Sequence, residues 1–237
     1  MLLAPKRKFV FIHVPKVAGQ SVTNALMPYA AMPWQRILST VLPYRVQLKV
    51  FTKLRRFTGM YFLPQPFDDH VKAVEIADSI GADAFDSLYS FAFVRNPWAW
   101  ALSRYTYALK NPRHNRHQIA KDTGSFDGYV QWLCTAKDLF YLQKDFVCNA
   151  DGDCLVKFIG KQEQLDVDFS HVCDALGIQA TLPTFNVSRD SSYRDSYNEE
   201  TRQLITELYA EDIEFFQYEY FIIINKAKII CLFVVSY

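Results

Sequence analysis

Acidic residues are missing from the first 67 positions, where ten Lys or Arg stand uncompensated; the remaining 170 residues hold 16 basic against 25 acidic side chains. That gap makes the N-terminal third a place for an anion, be it a nucleotide, a lipid surface or a nucleic acid. The five Cys include no zinc-like CxxC pair, which points away from a metal site and from a dense disulfide scaffold. No lysine is followed by Ser or Thr at the end of a glycine-rich loop, so a Walker A site is excluded. Repeats and low-complexity segments are lacking too, and Pro and Gly are scattered as punctuation rather than gathered in a linker. The longest apolar stretch, 221–235, is broken by Asn225, Lys226 and Lys228 and is shorter than a bilayer span, so it reads as a final strand or a surface-docked tail. The start, Met1-Leu-Leu-Ala-Pro-Lys-Arg-Lys, leaves no room for a cleavable leader or an N-terminal anchor before the first apolar strand, and the expected location is cytoplasmic.

What is present suits one domain over 1–237: half of the residues are hydrophobic and 22% are charged, enough for a sizeable core. Lys8 to Val14 reads as a buried strand, and the helical spacing of Val22, Ala25, Leu26 and Tyr29 starts a helix at Gly19 to Ser21. Residues 33–67 form a Pro-bounded excursion in which Arg45, Lys49, Lys53 and Arg56 share one helical stripe. The stripe suits an acidic glycan, a peripheral membrane contact or plain solvent. Ser90 to Arg95 is a second buried strand, ended by Asn96-Pro97 as N-cap and first turn of the next helix. A helix near Phe126 to Thr135 follows, then a hairpin signalled by Asp151-Gly152 between Cys148 and Cys154. Those thiols either face each other across strands or remain reduced strand cysteines. A strand at Leu155 to Gly160, a helix near Phe169 to Leu176, and a helix from Asn198 to Phe215 with Leu204, Ile205 and Leu208 buried complete the chain. Alternating strands and helices predict an α/β fold, a P-loop-type parallel sheet with helices on both sides.

Two loops carry chemistry. Pro15-Lys16-Val17-Ala18-Gly19-Gln20-Ser21 lies between a strand and a helix start, where free backbone N–H groups and the helix dipole attract phosphate. Lys16 adds mobile charge and Ser21 a hydroxyl; the plain alternative is a structural turn. The second element is Arg95-Asn96-Pro97 with Ser103 eight residues after the arginine. Arg95 offers a forked donor pair to a phosphate and Ser103 a third bond, or else the arginine pairs with a carboxylate and the serine with its own backbone.

Taken together, these segments resemble the sulfotransferase superfamily, in particular the carbohydrate sulfotransferases of the heparan sulfate and chondroitin types. Phe11-Ile-His-Val-Pro-Lys-Val-Ala-Gly-Gln-Ser21 is similar to the family's 5′-phosphosulfate loop, and Phe91-Ala-Phe-Val-Arg-Asn-Pro-Trp98 through Ser103 to its 3′-phosphate element. Lys157 to Leu165, and Asn186-Val-Ser-Arg189 with Tyr209, Asp212, Phe216 and Tyr218, resemble later family segments. The resemblance implies transfer of a sulfuryl group from 3′-phosphoadenosine 5′-phosphosulfate to a hydroxyl of a carbohydrate or other acceptor, with no metal and no nucleic-acid partner. It makes Lys16 the cation at the leaving oxygen. Pro15 to Ser21, Arg95, Ser103, Ser188 and Arg189 become donor contacts, and His70 the general base, with Glu75 as a second candidate. Alternatively, Asp68 and Asp69 simply pair with His70 on a surface loop. Two departures stand out: the family usually has Thr where Val17 and Gln20 stand, and Asp-Arg where Ala99-Trp100 stand. His13 reads as packing at its strand end, and Arg113, His114, Arg116 and His117 as a solvated basic loop, with contact to an anionic glycan as the alternative. The rival readings are a small-molecule kinase of P-loop type and a catalytically silent nucleotide or glycan binder.

Overall fold

The structure is a computed structural model that describes residues 1–4, 7–30, 70–136, 140–183 and 193–220. The expectations for 33–67 and 221–237, and for Asp68, Asp69, Ser188 and Arg189, fall outside the described residues. The fold is a mixed α/β arrangement, a mostly parallel sheet flanked by helices. Among the described residues four strands follow in the order β1 (Leu2–Ala4), β2 (Phe9–Ile12), β3 (Tyr89–Val94) and β4 (Phe158–Lys161). Strand β2 pairs in parallel with β3, and β3 with β4. Edge strand β1 adds an antiparallel partner for β2 to the expected parallel sheet. Only residues 5 to 8 separate the two, enough for a hairpin and far too few for a crossover.

Both central strands are buried along nearly their whole length, as strands covered on two faces must be. Phe9, Phe11, Phe91 and Phe93 are fully buried, and Phe11 stacks on Phe91 with ring centroids 5.3 Å apart. Each such side chain contributes about 1.5–3 kcal/mol relative to exposure. The register pairs Ile12 with Ala92 and Val94 with Lys161. Parallel pairing in this register makes the loop after β2 and the end of β3 leave the sheet at one edge, the carboxyl edge, where open α/β sheets hold their ligands.

The helices are α1 (Gly19–Ala30), α2 (Ala73–Ile80), α3 (Ala82–Asp86), α4 (Pro97–Lys110), α5 (His117–Asp122), α6 (Phe126–Thr135), α7 (Leu165–Leu176), α8 (Glu199–Leu208) and α9 (Ala210–Phe215). The Asn96 side chain accepts hydrogen bonds from the backbone N–H groups of Trp98 and Ala99, the cap that its position before Pro97 foretold. Helices α2, α3 and α5 add to those the sequence predicts, and α7 begins at Leu165 rather than Phe169. The helix expected from Asn198 to Phe215 divides at Tyr209. That tyrosine is fully buried against Trp100 and Phe140, a tertiary demand that helical periodicity does not record. Of its expected inner face, Ile205 is buried while Leu204 and Leu208 are half-buried. Cys148 and Cys154 do oppose each other in an antiparallel bridge, with Gly152 supplying the left-handed residue of the turn, and both are free thiols. Among the described residues no helix is long and apolar enough to cross a membrane.

Candidate active site

The loop after β2 is built on alternating handedness. Lys16 and Ala18 have φ of 63° and 61°, and between them Val17 is fully buried. A non-glycine residue in the left-handed region costs about 1–2 kcal/mol, so two in three residues must be held by their surroundings. Alternating handedness turns successive N–H groups towards one concave side, a nest that suits an anion. Val17 can meet an anion there only through its main chain, since its side chain belongs to the core; Gln20 is exposed and Ser21 buried. Gly19 allows no substitute, because a Cβ at that position would overlap the His13 ring.

His13 packs as expected. Its ring stacks on Phe11, with centroids 5.8 Å apart, and burial, followed by the N-terminal amino charge and His70, lowers its pKa to about 3. It stays neutral beneath the loop. His70 stands beside it: the ring centroids are 4.6 Å apart, and His70 Nδ1 is 2.9 Å from the His13 carbonyl oxygen. A carbonyl only accepts, so Nδ1 carries the proton, and in the neutral ring exposed Nε2 keeps its lone pair. Glu75 lies exposed in the first turn of α2.

Lys16 is half-buried, and its Nζ lies 3.7 Å from the centroid of the Tyr107 ring on α4. Its pKa is lowered by burial first and by the charge of Arg95 second. Arg95 thus lies within electrostatic reach of Lys16. Arg95 itself is buried at the end of β3. Its main chain is gripped by the side-chain amide of Gln143: Arg95 N–H donates to Oε1 at 2.8 Å, and Nε2 donates back to the Arg95 carbonyl at 2.7 Å. Asp212 fixes that clamp by accepting the N–H groups of Gln143 and Lys144, each at 2.9 Å. Glu163 accepts the Asn96 N–H at 2.6 Å and the Tyr218 hydroxyl at 3.1 Å. Ser103 is half-buried on α4, in the second turn after Pro97.

The basic loop departs from its expected role. Arg116 is buried, reaching the Tyr129 hydroxyl at 3.4 Å, and its N–H donates to His114 Nδ1 at 3.1 Å. His117 Nδ1 meets the Ala108 carbonyl at 2.9 Å. Two of the four basic residues thus pin the loop to α4 and α6 rather than facing solvent. The His114 pKa is lowered by burial, then by Arg116, Arg104, Lys16 and His117 in turn, which places this loop within electrostatic reach of Lys16.

A family model described as "Sulfotransferase family" matches residues 1–219. The chain belongs to the sulfotransferase family. Sulfuryl transfer in general, and with it a transferase acting on a hydroxyl-bearing acceptor, follows from that membership. A similar protein, from Archaeoglobus fulgidus and described as uncharacterized, is 30% identical over 122 residues, which make up 50% of this chain and 93% of that protein.

Sequence reasoning missed Gln143, Trp100, Arg104 and Tyr107. The last three fall at i, i+4 and i+7 on α4, a spacing visible in the sequence but shared with any buried helix stripe. Asp212 has a measurable signature. Burial pushes its carboxyl from 3.8 up to about 6, against the pull of the Gln143 and Lys144 N–H groups. Between about pH 4 and 6 the folded protein then holds a proton that the unfolded chain has released, so this contribution to stability is present below pH 4 and lost as pH rises through 6. Asp212→Asn cannot ionise. The melting temperature of the wild type minus that of this variant should shrink by roughly 5 °C or more between pH 4 and pH 7, read from thermal melts; an unchanged difference would contradict the raised carboxyl.

Proposed function

We propose that this sulfotransferase takes its sulfuryl group from 3′-phosphoadenosine 5′-phosphosulfate and delivers it to a hydroxyl of a carbohydrate acceptor. The observation that carries the donor is the mutual placement of Lys16 and Arg95. Two strand-to-helix junctions leave one sheet edge side by side, and each brings a cation, that of Arg95 lowering the pKa of Lys16. Two cations on neighbouring junctions fit a ligand with an anionic group at each end. Lys16, with the nest at 15–19 and the start of α1, would hold the 5′ end, and Arg95 with Ser103 the 3′-phosphate. Ser188 and Arg189 remain donor contacts on the strength of the family resemblance alone, as does the sugar as acceptor.

The chemistry asked of the chain is limited. In-line transfer gathers negative charge on the oxygen that leaves towards the 5′-phosphate, and Lys16 neutralises it there. Arg95 positions the donor rather than acting on the breaking bond. His70, with Nδ1 committed to the His13 carbonyl, offers Nε2 to the acceptor hydroxyl.

The test is calorimetry with 3′-phosphoadenosine 5′-phosphate and ATP in parallel. Wild type should bind the bisphosphate tightly and ATP weakly, and Arg95→Ala should lose roughly 10- to 100-fold in bisphosphate affinity, as expected when one charged hydrogen-bond donor is removed. Equal binding of ATP would favour the kinase reading. Bisphosphate binding without any donor turnover would favour a silent binder.

A further inference from the structure

The family resemblance leads one to expect Asp-Arg at positions 99 and 100, where this chain has Ala99-Trp100. Trp100 is fully buried, and its indole Nε1–H donates to the Pro15 carbonyl at 2.6 Å, across 85 residues of chain. That carbonyl belongs to the peptide unit that enters Lys16. Proline already fixes φ at position 15, so holding its oxygen fixes the peptide plane from which the left-handed Lys16 departs. The indole is wedged in turn. Arg104, one turn further along α4, lies 4.6 Å from the Trp100 ring and donates to the Tyr209 hydroxyl at 3.0 Å, and Tyr141 and Tyr209 contact the indole edge-on at 5.7 and 5.6 Å. Two turns beyond Trp100, the Tyr107 ring receives the Lys16 ammonium.

We infer that Trp100 and Tyr107 are positioning residues for Lys16: one face of α4 fixes the lysine at both ends, its backbone through the Trp100 indole N–H and its ammonium over the Tyr107 ring. The inference rests on the sulfuryl-transfer reading for its catalytic meaning, but its geometry does not. Neither residue touches reacting atoms. They set where Lys16 stands before a donor arrives, so the strained loop needs no reorganisation during transfer. The indole N–H thereby anchors the loop at the position where the family pattern differs. Among the described residues, the Tyr107 ring on α4 contacts the Lys16 ammonium, and Arg95 at the end of β3 and His114 in the following loop lie within its electrostatic reach.

The experiment needs no ligand. Lysines are ¹³C-methylated, the Lys16 resonance is identified by its absence in Lys16→Arg, and its ring-current shift reports whether the ammonium sits over Tyr107. The upfield shift should be present in wild type, kept in Tyr107→Phe, and lost in both Tyr107→Leu and Trp100→Phe, the latter keeping an aromatic ring without the N–H. Survival of the shift in a folded Trp100→Phe overturns the inference. Should that variant not fold, a Lys16 resonance alike in wild type and Tyr107→Leu overturns it instead. In donor turnover, Trp100→Phe should lower kcat roughly 10- to 100-fold, the effect of a misplaced catalytic group, and change bisphosphate affinity only about twofold; an unchanged kcat counts against it. Wild type that binds no bisphosphate and turns over no donor would refute the proposed 3′-phosphoadenosine 5′-phosphosulfate donor and leave the resonance test intact.

Discussion

Lys16→Ala is expected to lower donor turnover by about 100- to 1,000-fold, corresponding to the roughly 3–4 kcal/mol that one preorganised donor contributes at a developing oxyanion. Several features make the effect large. The ammonium is half-buried beside Arg95, and both shift it away from the charged form, so its charge is weakly screened and strongly felt by an incoming anion. The left-handed backbone at Lys16 is tied to α4, so the loop is held in place before a donor arrives. Folding should be unaffected, since alanine at φ near 63° carries the same backbone cost as lysine. The measurement is sulfate release or transfer at saturating donor, with circular dichroism melts as control. A loss under tenfold with an intact fold would remove Lys16 from the leaving-group role. The sign with pH is fixed too: because burial and Arg95 lower its pKa, Lys16 loses its proton at lower pH than a free lysine, and wild-type turnover should fall earlier on the alkaline side.

His70→Ala should lower kcat by about 100- to 10,000-fold with an acceptor present, the range for loss of a positioned general base. Bisphosphate affinity should stay unchanged, because His70 meets the carbonyl and the ring of His13, a residue with no part in donor binding. The hydrogen bond from Nδ1 matters because it selects the tautomer that leaves Nε2 able to take a proton, and without it the ring would present either nitrogen. The pH profile gives a second readout: the acid limb of kcat in wild type should vanish in the variant. His70→Gln retaining full activity, or an acid limb that persists in His70→Ala, would assign the base to another group, with exposed Glu75 the next to test. Replacing Lys16 and His70 together should not multiply the two losses, since residues acting on one transition state are not additive.

The local pieces of this site were legible in the chain because their signals are local. A buried strand followed by Pro-Lys-Val-Ala-Gly, a second followed by Asn-Pro, and the helical spacing of Val22, Ala25 and Leu26 each depend on neighbours within one or two turns. By these means the sequence alone determined two strand-to-helix junctions and the α/β class, and its lack of acidic residues made the N-terminal third the expected place for an anion. Tertiary structure decided what surrounds them. Parallel pairing of β2 with β3 brought Lys16 towards Arg95, and the Gln143 amide, 48 residues from Arg95, fixed the strand end. Trp100 reached back 85 residues to the loop carbonyl, and His70 gained its partner across 57. Hydrogen bonds over such separations leave no periodicity in the chain. Only the register of the sheet and the packing of α4 determine which donor meets which carbonyl.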